Sequence, residues 1–191
     1  METVYIVACG PSMREFPWDT LRGLPTIAVN GAILNVPDPA VFLTACSAFA
    51  IRSFRSDFWN TRARKVLIMG KSHRNYRKVE PFIHLFNEVH APSRFDGKIG
   101  FSWDAFATGR NSGFCALQYA VLQGAKTIHL CGFDLNTPGH YYAEGGPSVT
   151  TINNFLMHFR TGLRILLDHG VKVISHSPVS RLNDMIPYEA L

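Results

Sequence analysis

Short runs of continuously apolar and β-branched residues punctuate the chain at 3–8, 26–30, 40–44, 65–69, 126–131 and 171–175. Each is too continuously apolar for a strand with one wet face. Each therefore reads as a strand covered on both sides, the habit of parallel sheets. The intervals between the runs suit right-handed crossovers. Two stretches carry helical spacing instead: 112–123, with Ser112 as its N-cap and Gly124 as its stop, and 151–168, ended by Gly170. The pattern predicts an α/β fold, a Rossmann-like three-layer sandwich with a mostly parallel sheet of about six strands and helices on both faces. Neither a repeat nor a linker interrupts residues 1–191, so they read as one domain, with 71–111 as a small lid or irregular insertion.

Composition narrows the setting. Hydrophobic residues make up 47% and charged residues 17%, enough for a core and contrary to disorder. Nineteen Lys and Arg against 14 Asp and Glu leave +5, a balance that favours anionic partners. Cys9, Cys46, Cys115 and Cys131 sit in apolar stretches without metal-ligand spacing and read as reduced, buried thiols. The apolar runs are too short to span a membrane, and no basic region precedes the first of them. A cytoplasmic protein without a secretory signal is expected.

Candidate chemistry lies in the loops that follow the strand runs, because ligands of open parallel sheets bind beyond the carboxyl ends of strands. The first loop reads Cys9-Gly10-Pro11-Ser12-Met13, where glycine would let backbone N–H groups approach a phosphate. It is neither G-x-G-x-x-G nor a Walker loop, which speaks against ordinary NAD or P-loop chemistry. Asn30, in Ala28-Val29-Asn30-Gly31, ends the second run and could read a base or sugar. Thr108-Gly109-Arg110-Asn111-Ser112-Gly113 opens a helix with a guanidinium and a hydroxyl, a good anion site. After 126–131 comes Gly132-Phe133-Asp134, followed by His140, Tyr141 and Tyr142, an acid, an imidazole and two phenols able to meet a ribose, a leaving phosphate or an acceptor hydroxyl. His158 and His176 are further imidazoles near the C-terminus. There is no H-E-x-x-H, no Cys/His metal spacing and no nucleophile elbow, so metalloprotease and serine-hydrolase readings have no support.

Taken in order, Gly10-Pro11-Ser12-Met13, Asn30, Ser112-Gly113, and Gly132-Phe133-Asp134 with Tyr141-Tyr142-Ala143 resemble the bacterial family 42 sialyltransferases and the related pterin-diphosphokinase-like domain of flagellin-modifying glycosyltransferases. The resemblance spans most of the chain except about 52–109. It implies a nucleotide-binding domain that moves a sugar from a nucleotide donor, a CMP-sugar in the sialyltransferases, to an acceptor hydroxyl without a metal or further cofactor. The Gly10 loop, Asn30 and the Ser112 helix start would hold the nucleotide, and the tyrosines would stabilise the departing phosphate. Two departures matter. Cys9 stands where the family loop has asparagine, and the family's histidine base falls near Asn154 here, with His158 one turn later and His140 upstream. His158 is the favoured base on this reading.

Two other functions remain open at this stage. Diphosphate transfer from ATP to a pterin-like alcohol would need a divalent cation on carboxylates such as Asp134 and Asp104. A nucleic-acid-binding module is suggested by Arg52, Arg55, Arg62, Arg64, Lys65, Lys71, Arg74, Arg77 and Lys78, interleaved with Phe54, Phe58, Trp59 and Tyr76. In an enzyme, that segment, 52–78, would be a docking surface for a polyanionic or macromolecular acceptor. The oligomeric state is left open.

Overall fold

The computed structural model describes residues 2–53, 61–136, 138–142 and 145–191. Phe54, Arg55, Phe58 and Trp59 of the basic segment, and Ala143 after the tyrosines, lie outside the described residues.

Seven strands form one sheet: β1 (Thr3–Val7), β2 (Thr26–Val29), β3 (Val41–Thr44), β4 (Arg64–Ile68), β5 (Glu88–His90), β6 (Thr127–Cys131) and β7 (Lys172–Ser175), in the order β5-β4-β3-β2-β1-β6-β7. Every pairing is parallel. The six expected strands are present, and β5 is the addition. Only three residues long and with no buried position, it gives no apolar run to read. It is fixed instead by polar contacts: the Glu88 carboxylate accepts from the Tyr119 hydroxyl at 2.9 Å and pairs with Arg64. The segment 71–111 also carries a short helix, α2 (Tyr76–Val79), and two 3-10 turns at Glu80–Leu85 and Trp103–Ala105.

Alternate side chains of the strands enter two cores, as a sheet buried on both faces requires. Ile6, Val29, Leu43 and Leu130 pack with α3 (Ser112–Leu122) and α4 (Val149–Asp168) through Phe114, Phe159 and Leu163. Val7, Ala28, Phe42 and Leu67 meet Met13, Leu21 and Ile33 on the other side, where 3-10 turns and the short α1 (Ser47–Ser53) replace long helices. Residues 112–120 of α3 are all buried, so this helix is central rather than amphipathic. Its N-cap is Asn111, whose Oδ1 accepts from the amides of Gly113 at 2.7 Å and Phe114 at 3.2 Å. That corrects the expectation for Ser112, because the longer amide side chain reaches both free N–H groups from one residue earlier. Among the described residues all four cysteines are free, and Cys46 is only half-buried because it sits where β3 ends at an open cleft. No helix among them is long and apolar enough to cross a membrane.

The sheet face near β7 carries a stack of rings. Tyr5 lies on His129 with centroids 4.2 Å apart, and His129 lies on His176 at 5.0 Å. The imidazoles share a hydrogen bond of 2.7 Å, and His176 bonds the Glu189 carbonyl at 2.6 Å, tying down the C-terminal tail. Burial holds both histidines below their ordinary range, with mutual charge repulsion adding to the effect on His129. The unfolded chain therefore binds protons that the fold resists, so the stability these two histidines contribute is constant above about pH 6.5 and falls as pH drops through that value. Urea titrations between pH 8 and pH 5 are expected to show this loss, with a shallower slope in His176→Asn; a flat profile would contradict the assignment.

Candidate functional site

The strand order reverses between β1 and β6, which makes this the switch point of the sheet. Two hydrogen bonds continue the pairing beyond the strands, from Ala8 N to Cys131 O at 2.8 Å and from Gly10 N to Gly132 O at 2.9 Å. Asp134 closes the arrangement. Its carboxylate is 2% exposed and accepts from Ser12 N at 2.8 Å, from the Ser12 hydroxyl, and from the Ser177 hydroxyl at 2.6 Å. A Cβ on Gly10 would stand 2.5 Å from Gly132 O and 2.7 Å from the Asp134 carboxyl, so only glycine fits between these loops.

This geometry changes the expectation for the first loop. Gly10 N and Ser12 N are both spent on protein acceptors, Met13 N bonds Gly10 O, and Pro11 has no N–H. The loop is a rigid wall and not a nest of free donors for a phosphate. Cys9 is likewise committed: its thiol donates to Val29 O at 3.2 Å, and burial pushes its pKa up to about 12.

Above this wall a cleft of about 1000 Å³ opens across the carboxyl ends of β4, β3, β2, β1 and β6. It is lined by Cys9, Gly10, Pro11, Asn30, Arg110, Asn111, Ser112, Gly113, Asp134 and His140, which brings together most of the residues singled out in the sequence. The Asn30 side-chain oxygen accepts from Thr44 at 2.7 Å, while its amide nitrogen has no partner among the described residues. Ser112 Oγ accepts from Ala45 N at 3.1 Å and keeps its own proton to donate. Asn30, Arg110 and Leu135 adopt left-handed φ values of 50°, 56° and 51°, and all three line the cleft. Strain of this kind collects at functional sites.

Other expected residues stand outside the lining. Ser12 faces Asp134 instead. Tyr141 donates to Gly31 O at 3.0 Å and packs on Trp18, and burial raises its pKa. Tyr142 lies against Gly31, where any side chain would strike its ring, and stacks on His140 with centroids 5.4 Å apart. His158 is packed on Gly97, and burial, then the charge of Arg110, holds it below its ordinary range. Asp104 is also outside the lining, so it does not share the cleft with Asp134. Among the described residues no group of His, Cys, Asp and Glu is placed to hold a metal ion.

The sequence reading nominated 52–78 as a basic docking surface but did not place its loop after β4, or the loop after β3, on the cleft wall. Cys46 and Ser47 follow β3, and Ser72 to Asn75 follow β4, with Asn75 donating to the Ser47 hydroxyl at 2.9 Å. Phe95, and Phe155 from α4, also line the cleft. The available signal was position alone, since both loops leave the same sheet edge as the Gly10 loop.

No protein-family model matches the sequence, and no curated protein matches it. Solved structures do. The sialyltransferase CstII from Campylobacter jejuni, in complex with the substrate analogue CMP-3FNeuAc, aligns with a TM-score of 0.60 at 16% identity, covering 97% of this chain and 85% of that one. A structure of CST-II with a trisaccharide acceptor and CMP aligns at 0.64 and 16% identity over 98% and 86%. The monofunctional α-2,3-sialyltransferase Cst-I from the same organism aligns at 0.62 and 12% identity over 98% and 80%.

The Asp134 clamp leads to a stability test. Asp134→Ala strands three donors, the Ser177 hydroxyl buried and the Ser12 amide and hydroxyl partly so, and is expected to cost on the order of 3 kcal/mol in urea unfolding, with Gly10→Ala also destabilising. Wild-type stability in Asp134→Ala would show that the loops hold themselves. In all, the chain has the Rossmann-like α/β fold of the bacterial family 42 sialyltransferases, as the resemblance of its loops implied.

Proposed function

We propose that the chain is a glycosyltransferase that takes a sugar from a nucleotide-sugar donor, of the CMP-sugar type, and passes it to an acceptor hydroxyl without a metal. One observation carries this reading: the loops that resemble the sialyltransferases converge on a single large cleft at the switch point of the matching fold. Its volume lies at the upper end of the ~300–1,000 Å³ usual for small-molecule sites, room for a donor and an acceptor together.

Asn30 offers an unpartnered amide nitrogen to the base or ribose, and Ser112 offers a hydroxyl proton to the phosphate. Arg110 makes no ion pair among the described residues, and its guanidinium is suited to the charge that develops on the leaving phosphate. Of the histidines nominated as base, His140 lines the cleft and His158 does not. His140 is therefore the preferred base. It removes the acceptor O–H proton, the oxygen bonds to the anomeric carbon, and the bond from that carbon to the phosphate oxygen breaks, with the electron pair leaving on the nucleoside monophosphate. Tyr141 and Tyr142 act from behind, holding the His140 loop against Gly31.

Asp134 is a poor ligand for a divalent ion because its oxygens already accept three hydrogen bonds, and Asp104 lies elsewhere. This disfavours diphosphate transfer. A panel of nucleotide sugars with EDTA present is expected to reveal donor hydrolysis. Arg110→Gln should lower turnover by about 10²-fold and His140→Asn by about 10²-fold or more. Loss of turnover on chelation, or no binding of any nucleotide sugar, would overturn the reading; full activity of His140→Asn with loss in His73→Asn would move the base to the other cleft imidazole.

A further inference from the structure

The helices that lead into β6 and β7, α3 and α4, pack on one face of the sheet. Ile128 and Leu130 enter that core, so His129 between them projects from the opposite face, where it meets Tyr5 of β1. His176 continues the pairing just past β7, its N–H donating to Leu130 O at 2.8 Å. On this side the chain after β7 turns back along the strand, with Tyr188 bridged in parallel to Ser175.

The returning chain is held in two different ways. Ser177 donates to Asp134, Ser180 Oγ donates to Phe133 O at 2.6 Å, and Leu182 and Ile186 are buried in the core, which fixes the chain as far as Ile186. Pro187 to Leu191 are exposed at every residue. They stay on β7 through Ser175 N to Pro187 O at 2.9 Å, Glu189 N to Ser175 O at 3.0 Å, and the His176 ring on the Glu189 carbonyl at 2.6 Å. A segment held by backbone bonds with little apolar burial is the kind that opens locally while the core stays closed.

The hydrogen bonds of the two imidazoles fix where their protons are. A carbonyl can only accept, so His176 Nδ1 carries a proton toward Glu189 O. Neutral His176 then presents a bare Nε2, and His129 Nδ1 must donate to it across 2.7 Å. The one remaining lone pair is on His129 Nε2. A first added proton lands there and leaves both bonds intact. A second must land on His176 Nε2, where it confronts the His129 N–H and sets two cations with ring centroids 5.0 Å apart. The His176 ring has to swing away, and its Nδ1 leaves the Glu189 carbonyl with it.

We infer that His129 and His176 form a proton-operated latch, which holds residues 187–191 against the edge of β7 at neutral pH and releases them when both imidazoles are protonated. The titratable and charged groups around the pair are Tyr5 from β1, with Cys131 of β6 acting on it, Lys172 from β7 and Glu189 from the tail. Lys172 opposes charge on His129, and the Glu189 carboxylate favours charge on both rings. Burial outweighs that help and keeps the closed pair neutral. Released rings regain the ordinary histidine range near pH ~6.5. Opening is therefore favoured increasingly as pH falls below that value and is independent of pH above it.

Hydrogen exchange of the Ser175 and Glu189 amides in the full chain reads the latch, since each is bonded across it. Corrected for the intrinsic pH dependence of exchange, their protection is expected to drop at least ~10-fold between pH 7.5 and pH 5, while the amides of β2 and β3 keep theirs. In His129→Asn the carboxamide can meet either form of His176, with its nitrogen or with its oxygen, and protection should not change with pH. Glu189→Gln alters an exposed side chain and removes the charge that favours protonated rings in the closed state, so its tail should open further than the wild type's at pH 5. Wild-type protection that is flat with pH, an equal drop in His129→Asn, or opening in Glu189→Gln no greater than in the wild type overturns the inference. Loss of protection in β2 and β3 together with the tail also overturns it, because that marks global unfolding.

Discussion

The parallel pairing of β1 with β6 is the constraint from which the cleft follows. It joins the N-terminal strand to one more than a hundred residues later, and it reverses the strand order there. A ligand seated at the switch point of a parallel sheet meets the two loops at that reversal. In this chain the loops are laced together by Gly10 N to Gly132 O and by the Asp134 carboxylate. A buried carboxylate is costly unless its oxygens are satisfied, and three donors offset that cost here. The same side chain binds the segment at Ser177 after β7, so the sheet edge, the first loop and the C-terminal region are fixed as one piece.

A floor that has spent its donors cannot also supply them to a ligand. Recognition must come from the walls: the Asn30 amide, the Ser112 hydroxyl and the Arg110 guanidinium. Each is set by a constraint apart from its own side-chain chemistry. Asn30 and Arg110 are held at left-handed φ, at a cost of about 1 kcal/mol for a non-glycine residue. Ser112 is pinned to the chain leaving β3 by the Ala45 amide. Arg110 N donates to Thr108 Oγ1 at 3.2 Å, which stabilises the turn that carries it.

Much of this was legible in the sequence because a strand buried on both faces has no polar positions to obscure it. β2 and β3 are buried at every residue, and both were read as continuous apolar runs. β5 escaped because its place depends on Tyr119 and Arg64, residues distant in sequence. Loop positions followed from strand positions, so Gly10, Asn30, Ser112 and Asp134 were found together. What each side chain does was not legible. Cys9 and Tyr141 turn to protein carbonyls of Val29 and Gly31, and local sequence does not reveal which acceptor lies nearest after folding. The loop after β4 was noticed for its charge, but its place on the cleft depends on the order of strands in the sheet.

The +5 excess gains meaning from distance. Charges in solution are screened over about 8 Å at physiological ionic strength. The rim at Lys71 to Lys78, roughly 14–19 Å from the switch point by strand spacing, cannot do much for a phosphate bound there. Arg110 lies in the loop before α3 that also supplies Ser112, next to the position proposed for the phosphate. The excess is divided between Arg110 on the cleft and the basic stretch from Lys71 to Lys78, and net charge taken as a single number does not reveal that division.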